Sequence, residues 1–286
     1  MADCSSDKAE AAAPAKRRRA RGAAVDSQES PEAVDGRFNA ALDALGAKLR
    51  DRDWRLRNLY WITDKSGARV RFVPNWAQVE LFDSLTHRNV DLKVRQLGVT
   101  TGYCILWLDA VLFNRGLRVG IVAHTKDDAA IIFRDRIKFA YDQLPAEVRA
   151  AVRPVKCNTH ELLLDNDSGI RVGVTFRSGT VQVLHVTEYG YICQRHPQRA
   201  EEIRTGAFQA VPADGIIVVE STAKGRMGHF HSLCQEAQKG GGWRFTFLPW
   251  WREPAYAVQG GQPLEYAQER DYLDRLEAQI DTELTP

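Results

Sequence analysis

The sequence contains no uninterrupted apolar run of about 18 residues, so a membrane-spanning helix is not expected. Its first residues carry no apolar h-region, so no secretory signal is expected either. Cysteine is sparse: five residues, at 4, 104, 157, 193 and 234, odd in number and far apart. No CxxC or Cys/His pair has zinc-ligand spacing, which leaves reduced thiols, with Cys104 read as core filler inside a helix. His124, His185, His229 and His231 are read as hydrogen-bonding residues rather than metal ligands. The net charge is only +2, so the chain as a whole is not a polycation. The most informative absence is local. "KVRQLGVTTG", Lys93–Gly102, has the layout of a phosphate-binding loop, yet Val99 stands where such loops carry lysine.

What is present is ample for one large α/β domain: 286 residues, 44% of them hydrophobic, with seven tryptophans. Residues 1–36 read as a disordered leader, rich in Ala, Ser, Glu and Asp, with a basic run at Lys16–Arg19 and Arg21. That run suits nucleic-acid phosphates or a solubilising tail equally. Residues 37–70 read as a helical extension, with one helix over Phe38–Tyr60 and a short strand from Val70. Residues 71–250 then alternate strands and helices. The β-branched runs "VDLKV", "LRVGIVAH", "VQVLHVTE" and "GIIVVES" indicate strands covered on both faces. The expected fold is therefore a doubly wound α/β domain with a mainly parallel sheet and helices on both faces. "ELLLDNDSGIRVGVTF" reads as a hairpin turned at Asn166–Gly169. Residues 251–286 read as a linker and a charged amphipathic helix.

Ligands of such folds sit beyond the carboxyl ends of the strands. "RQLGVTTG", "AHTKDDA", "TEYG" and "ESTAKG" all fall there, which suggests one shared site. In the loop, Gly98 supplies the turn and Thr100, or Thr101, a hydroxyl for Mg²⁺. Gln96 belongs to the same turn. Positive charge must come from Lys93 or Arg95, of which Arg95 is favoured because a guanidinium holds two phosphate oxygens at once. Thr187 and Glu188 close the "VQVLHVTE" strand. Glu188 suits water activation, and the Thr187 hydroxyl suits a metal-bound water.

With the loop, "IVAHTKDDAAIIFRDRIKFAYDQLP", "FRSGTVQVLHVTEYG" and "VVESTAKGRMGHFHSLC" in this order, the chain resembles the N-terminal ATPase domain of the large terminase subunit of tailed bacteriophages. The likeness runs from about Asn75 to Trp250. It implies a P-loop NTPase fold of the ASCE type and an ATP-hydrolysing motor that moves viral double-stranded DNA into procapsids, with ATP and Mg²⁺ as cofactors. Implied partners are duplex DNA, held without regard to sequence, the portal protein, the small terminase subunit and further copies of the chain in a ring. The implied place is the bacterial cytoplasm, at the procapsid portal. The resemblance also implies roles for single residues. Gln78 is placed to read adenine, and Arg95 matches the arginine that opens the phosphate loop. Ser221-Thr222-Ala223 resembles the motif that couples γ-phosphate loss to DNA grip. Arg177 resembles an arginine donated to a neighbouring subunit, with Arg134 or Arg136 as substitutes. Mg²⁺ would lie near Thr100, Thr187 and Glu188. The family's nuclease domain would begin near where this sequence ends, so no nuclease activity is expected. Because of Val99, the alternative is a catalytically impaired nucleotide-binding scaffold or prophage remnant; a helicase-like ATPase is a third reading.

Overall fold

The computed structural model describes residues 43–176, 179–256 and 266–280. The basic leader and Arg177 lie outside the described residues. The chain divides into Met1–Ala47 and Lys48–Pro286, and apart from the start of the helix at 43–50 the second unit holds every feature below.

The single helix expected over Phe38–Tyr60 is interrupted. Residues 43–50 are helical, Asp51 is extended, and a new helix, α1, runs Arg52–Asn58. The Asp51 carboxylate accepts from the N–H groups of Asp53 and Trp54. A short polar side chain that caps the following turn ends one helix and starts the next. Strands β1, Trp61–Thr63, and β2, Arg69–Arg71, then pair as a small antiparallel hairpin. Helix α2, Trp76–Asp83, opens with a reciprocal cap between Asn75 and Gln78.

The main sheet has the strand order β10-β3-β9-β8-β4-β7-β6-β5. Its strands are β3, Arg88–Lys93; β4, Arg118–Val122; β5, Pro154–Cys157; β6, Glu161–Leu164; β7, Gly169–Gly173; β8, Val183–Thr187; β9, Ile216–Ser221; and β10, Arg244–Leu248. From β10 to β7 every pairing is parallel. The β5-β6-β7 margin is antiparallel, and the expected β6–β7 hairpin is present, its turn at Asp165–Ser168, one residue earlier than Asn166–Gly169. Strand β5 is fully exposed and carries no apolar run, so periodicity does not reveal it.

Helices cover the sheet. The almost wholly buried α3, Val99–Phe113, follows β3. After β4 comes α4, Lys126–Ile132, which passes through a π-helical turn at Phe133–Lys138 into Phe139–Asp142. Helix α5, Ala146–Ala151, precedes β5. Helices α6, Tyr189–Arg195, and α7, Pro197–Glu202, follow β8, and α7 runs on into a second π turn at Ile203–Ala207. Helix α8, His229–Gln238, leads to β10, and α9, Ala267–Ile280, comes last. No helix among the described residues is long and apolar enough to cross a membrane.

The 48–71 segment contributes to the main core, where Leu56 and Tyr60 pack with Val99, Tyr103 and Trp107. It is also fixed by a buried ion pair. The Arg55 guanidinium donates from Nε and Nη2 to the two Asp109 oxygens at 2.9 and 2.7 Å, and the Tyr60 hydroxyl donates to Oδ1 at 2.8 Å. Arg55 also lies over the Phe113 ring. Asp109→Asn keeps the shape but leaves the guanidinium uncompensated. We expect it to lower the unfolding free energy by about 2 kcal/mol, read from the urea midpoint.

Candidate active site

Adjacent strands β3, β9, β8 and β4 all run the same way, so their carboxyl ends open on one edge of the sheet. Lys93, Ser221, Thr187 and the residues following Val122 lie there. A cleft of about 350 Å³ is lined by Lys93, Arg95, Gln96, His124, Glu188, Tyr191 and Lys224. Arg95 and Glu188, which the sequence reading joins, thus face one cavity.

The loop between β3 and α3 is held in an unusual backbone shape. Gln96 and Gly98 both adopt positive φ, 62° and 68°. Gly98 is the residue before the helix, and its left-handed conformation favours glycine. The first-turn N–H groups of α3, at Val99, Thr100 and Thr101, have no acceptor within the helix. Glu188, which starts α6, is also left-handed, at φ 53°. A non-glycine residue there costs on the order of 1–3 kcal/mol, strain typical of sites where a side chain must be aimed.

Charge is organised around Lys93 rather than Arg95. The Lys93 ammonium lies 3.1 Å from Glu188 Oε1 and 3.1 Å from Glu220 Oε2. Glu220, on β9, is wholly buried; its Oε1 accepts from the Thr100 hydroxyl at 2.6 Å and lies 3.4 Å from His185 Nε2. Burial alone would push the Glu220 carboxyl up, but the Lys93 charge, with His185 and Thr100, holds it well below the usual carboxylate range. Burial likewise depresses Lys93, yet Glu220 and Glu188 more than offset this and its pKa is raised. Lys93 and Glu220 are therefore both charged at neutral pH. Beneath them, buried Asp91 accepts from the Tyr103 hydroxyl at 2.7 Å. Burial raises its pKa to about 6 against the lowering effect of Tyr103 and Arg244.

The remaining sequence-predicted residues divide into those at the cleft and those beneath it. Thr100 reaches the carboxylate network, while Thr101 is half-buried one residue on. Gln96 lines the cleft, and its Oε1 accepts from Lys65 at 3.3 Å. Thr187 is buried at the end of β8, in register with Glu220. Ser221 ties two site elements together: its hydroxyl accepts from Gly190 N–H at 3.0 Å and donates to Thr222 O at 2.9 Å. A Cβ on Gly190 would lie 2.9 Å from that hydroxyl, so only glycine fits. Thr222 is buried beside it. Gln78 sits under the loop rather than in the cleft: its Oε1 accepts from Asn75 N–H and its Nε2 donates to Gly98 O at 2.8 Å. Both ends of the amide are occupied in holding the loop. Arg134 pairs with the neighbouring Asp135 at the exposed surface. Val99 is buried in the main core, which explains why no lysine can stand there.

Glu220 was not among the sequence-predicted residues. The signal for it was a lone acid inside the apolar run "GIIVVES", which demands a buried cation, and Lys93 in "VDLKV" is the complementary case.

No family model matches the chain. Solved structures do. The large terminase ATPase domain of Thermus phage P74-26 aligns over 72% of this chain and 88% of that domain, at 17% identity and a TM-score of 0.52. The large terminase of bacteriophage HK97 aligns over 83% of this chain and 52% of its own, at 14% identity and a TM-score of 0.55. The fold is that of the phage large-terminase ATPase domains. It is a mixed, mainly parallel sheet flanked by helices, with a strand (β9) between the loop strand β3 and the acid-bearing β8, as in ASCE-type P-loop NTPases. This chain spans about half the length of the HK97 terminase. At these identities the likeness to the terminase ATPase domains establishes the fold, and the roles of single residues rest on the geometry above.

Proposed function

We propose that this protein is an ATP-hydrolysing motor subunit that drives double-stranded DNA into a viral procapsid. The observation that carries the reading is that Lys93, Arg95 and Glu188, remote in sequence, line one cleft beside a phosphate-type loop. The donor set fits a Mg²⁺-nucleotide: first-turn N–H groups of α3 and the Arg95 guanidinium for phosphate oxygens, Thr100 and Glu188 for the metal side. Bound Mg²⁺ would supply charge neutralisation between the terminal phosphates.

In this mechanism Lys93, not a helix-borne lysine, brings positive charge from the strand end. Glu188 is half-buried, with one oxygen toward Lys93; it positions a water and takes its proton. Thr187 would be the hydroxyl on the metal side, hydrogen-bonding a water of the bound ion. Ser221 and Thr222 link the α6 start, next to Glu188, to the end of β9, so a displacement of Glu188 is passed to the loop after β9. Duplex DNA, the portal protein, the small terminase subunit and further copies of the chain are the partners that follow from this reading. Grip on duplex DNA through phosphates would weaken steeply with salt.

Glu188→Gln keeps the shape of the site and removes the base. Its expected ATP turnover is about a hundredfold lower, with nucleotide binding retained. Phosphate release measured with and without DNA decides the matter: equal rates for the two proteins would remove Glu188 from the chemistry. A wild type that binds nucleotide without turning it over would instead favour the scaffold reading.

A further inference from the structure

A Mg²⁺-nucleotide site backs the loop hydroxyl with a carboxylate. Of the metal-side residues above, Thr187 brings no charge and Glu188 turns Oε1 to Lys93. Glu220 is a further carboxylate, which the proposed function leaves unused. It is wholly buried on β9, in register with Thr187 on β8. Its Oε1 accepts from the Thr100 hydroxyl at 2.6 Å, a charge-assisted contact. Its Oε2 lies 3.1 Å from the Lys93 ammonium but makes no aligned hydrogen bond among the described residues. The Thr100 contact fixes what that hydroxyl can offer. A hydroxyl has a single proton to donate, and it accepts through lone pairs. With its proton committed to Glu220, Thr100 presents only lone pairs to a further partner. A cation requires that arrangement, and a phosphate oxygen is repelled by it.

We propose that Glu220 is a positioning residue for the divalent cation of the bound nucleotide, acting through the Thr100 hydroxyl and supplying from β9 the charge that Thr187 on β8 cannot. The inference rests on the nucleotide reading of the cleft. A carboxylate behind a ligating oxygen orients it and raises its basicity. Lys93 gives a second reason. Its ammonium is shared between Glu220 and Glu188, and the proposed function draws it toward phosphate. A buried carboxylate tolerates that loss only if another cation approaches. Glu220 thus exchanges part of its hold on Lys93 for a cation on the far side of Thr100. Until nucleotide binds, the strand-borne cation and the strand-borne acid neutralise each other.

The test measures binding of a non-hydrolysable ATP analogue by titration calorimetry, once with Mg²⁺ and once with EDTA. Wild type is expected to bind more tightly with Mg²⁺. In Glu220→Gln the ratio of the two affinities shrinks about tenfold, through weaker binding of the Mg²⁺ complex. The metal-free affinity does not fall, because Lys93 is released toward phosphate. Glu220→Asp keeps a charge for Lys93 but is a methylene short of Thr100, and its ratio shrinks likewise. Thermal melting confirms that each variant is folded, and the aspartate variant serves if the glutamine variant is not. Thr100→Val also lowers the ratio, and adding it to Glu220→Gln lowers it no further, as expected of groups acting in series. Glu147→Gln, at an exposed acid on α5, retains the wild-type ratio and controls for net charge. If Glu220 only neutralises Lys93, Glu220→Gln strengthens binding equally with and without Mg²⁺, and the ratio stays at its wild-type value. That result, or a wild type indifferent to Mg²⁺, overturns the proposal while leaving the nucleotide reading intact. A wild type that binds the analogue under neither condition overturns both.

Discussion

Lys93→Met is expected to lose both stability and turnover. Methionine matches the length of the lysine stem but leaves Glu220, wholly buried, facing Glu188 with no cation between them. Breaking a buried pair from one side costs about 3–5 kcal/mol, because an uncompensated charge remains in a low-dielectric interior. For a chain of this size that lowers the melting temperature by roughly 10 °C. Turnover should fall on the order of a thousandfold, since the positive charge beside the phosphate chain is gone. The two effects separate in the double variant Lys93→Met/Glu220→Gln. There the buried site is neutral again and the melting temperature recovers most of its loss, while ATP turnover stays low. Recovery of turnover in the double variant would show Lys93 to be a structural counter-ion only.

Val99→Lys installs the residue that the loop pattern lacks, and it is expected to fail. Val99 is 2% exposed and packs among Leu97, Tyr103 and Cys104 in the main core. A lysine there must either bury an ammonium without a partner or push its stem out through the first turn of α3. We expect a loss of about 3 kcal/mol or more in unfolding free energy, with the amine neutral while the protein is folded. ATP turnover should not rise. A stable variant with faster phosphate release would show instead that the natural loop is deficient and that Lys93 does not fill the role. Denaturant unfolding and a phosphate-release assay on the same preparation give both answers.

Much of the fold was legible because it is written locally. The β-branched runs of β3, β4, β8 and β9 mark themselves as doubly covered strands, and Thr125 with Asp128 announces α4. The elements that were missed lack such marks. Strand β5 has no buried face, and α6 begins directly from a left-handed Glu188, with no capping side chain to signal it. For the site, the sequence reading placed Arg95 and Glu188 at the carboxyl ends of two strands of one sheet, and they line one cleft. It did not reveal that Lys93 and Glu220 meet, since that depends on β3 and β9 being parallel neighbours in register. Gln78 teaches a different lesson. The family resemblance implies base recognition, but Asn75-x-x-Gln78 is also a helix-capping pattern, and the structure uses the amide for that and for Gly98 O.

The tie between Arg55, Tyr60 and Asp109 has a practical consequence for anyone cutting the gene. Asp109 sits in the helix that the β3–α3 loop opens, so α1 and Tyr60 buttress the element beneath the candidate site. An expression fragment trimmed to start at the first loop-proximal helix, near Asn75, would strip the counter-charge from that carboxylate. Such a fragment should come out of cells poorly folded, whereas one begun before Lys48 retains the whole clamp.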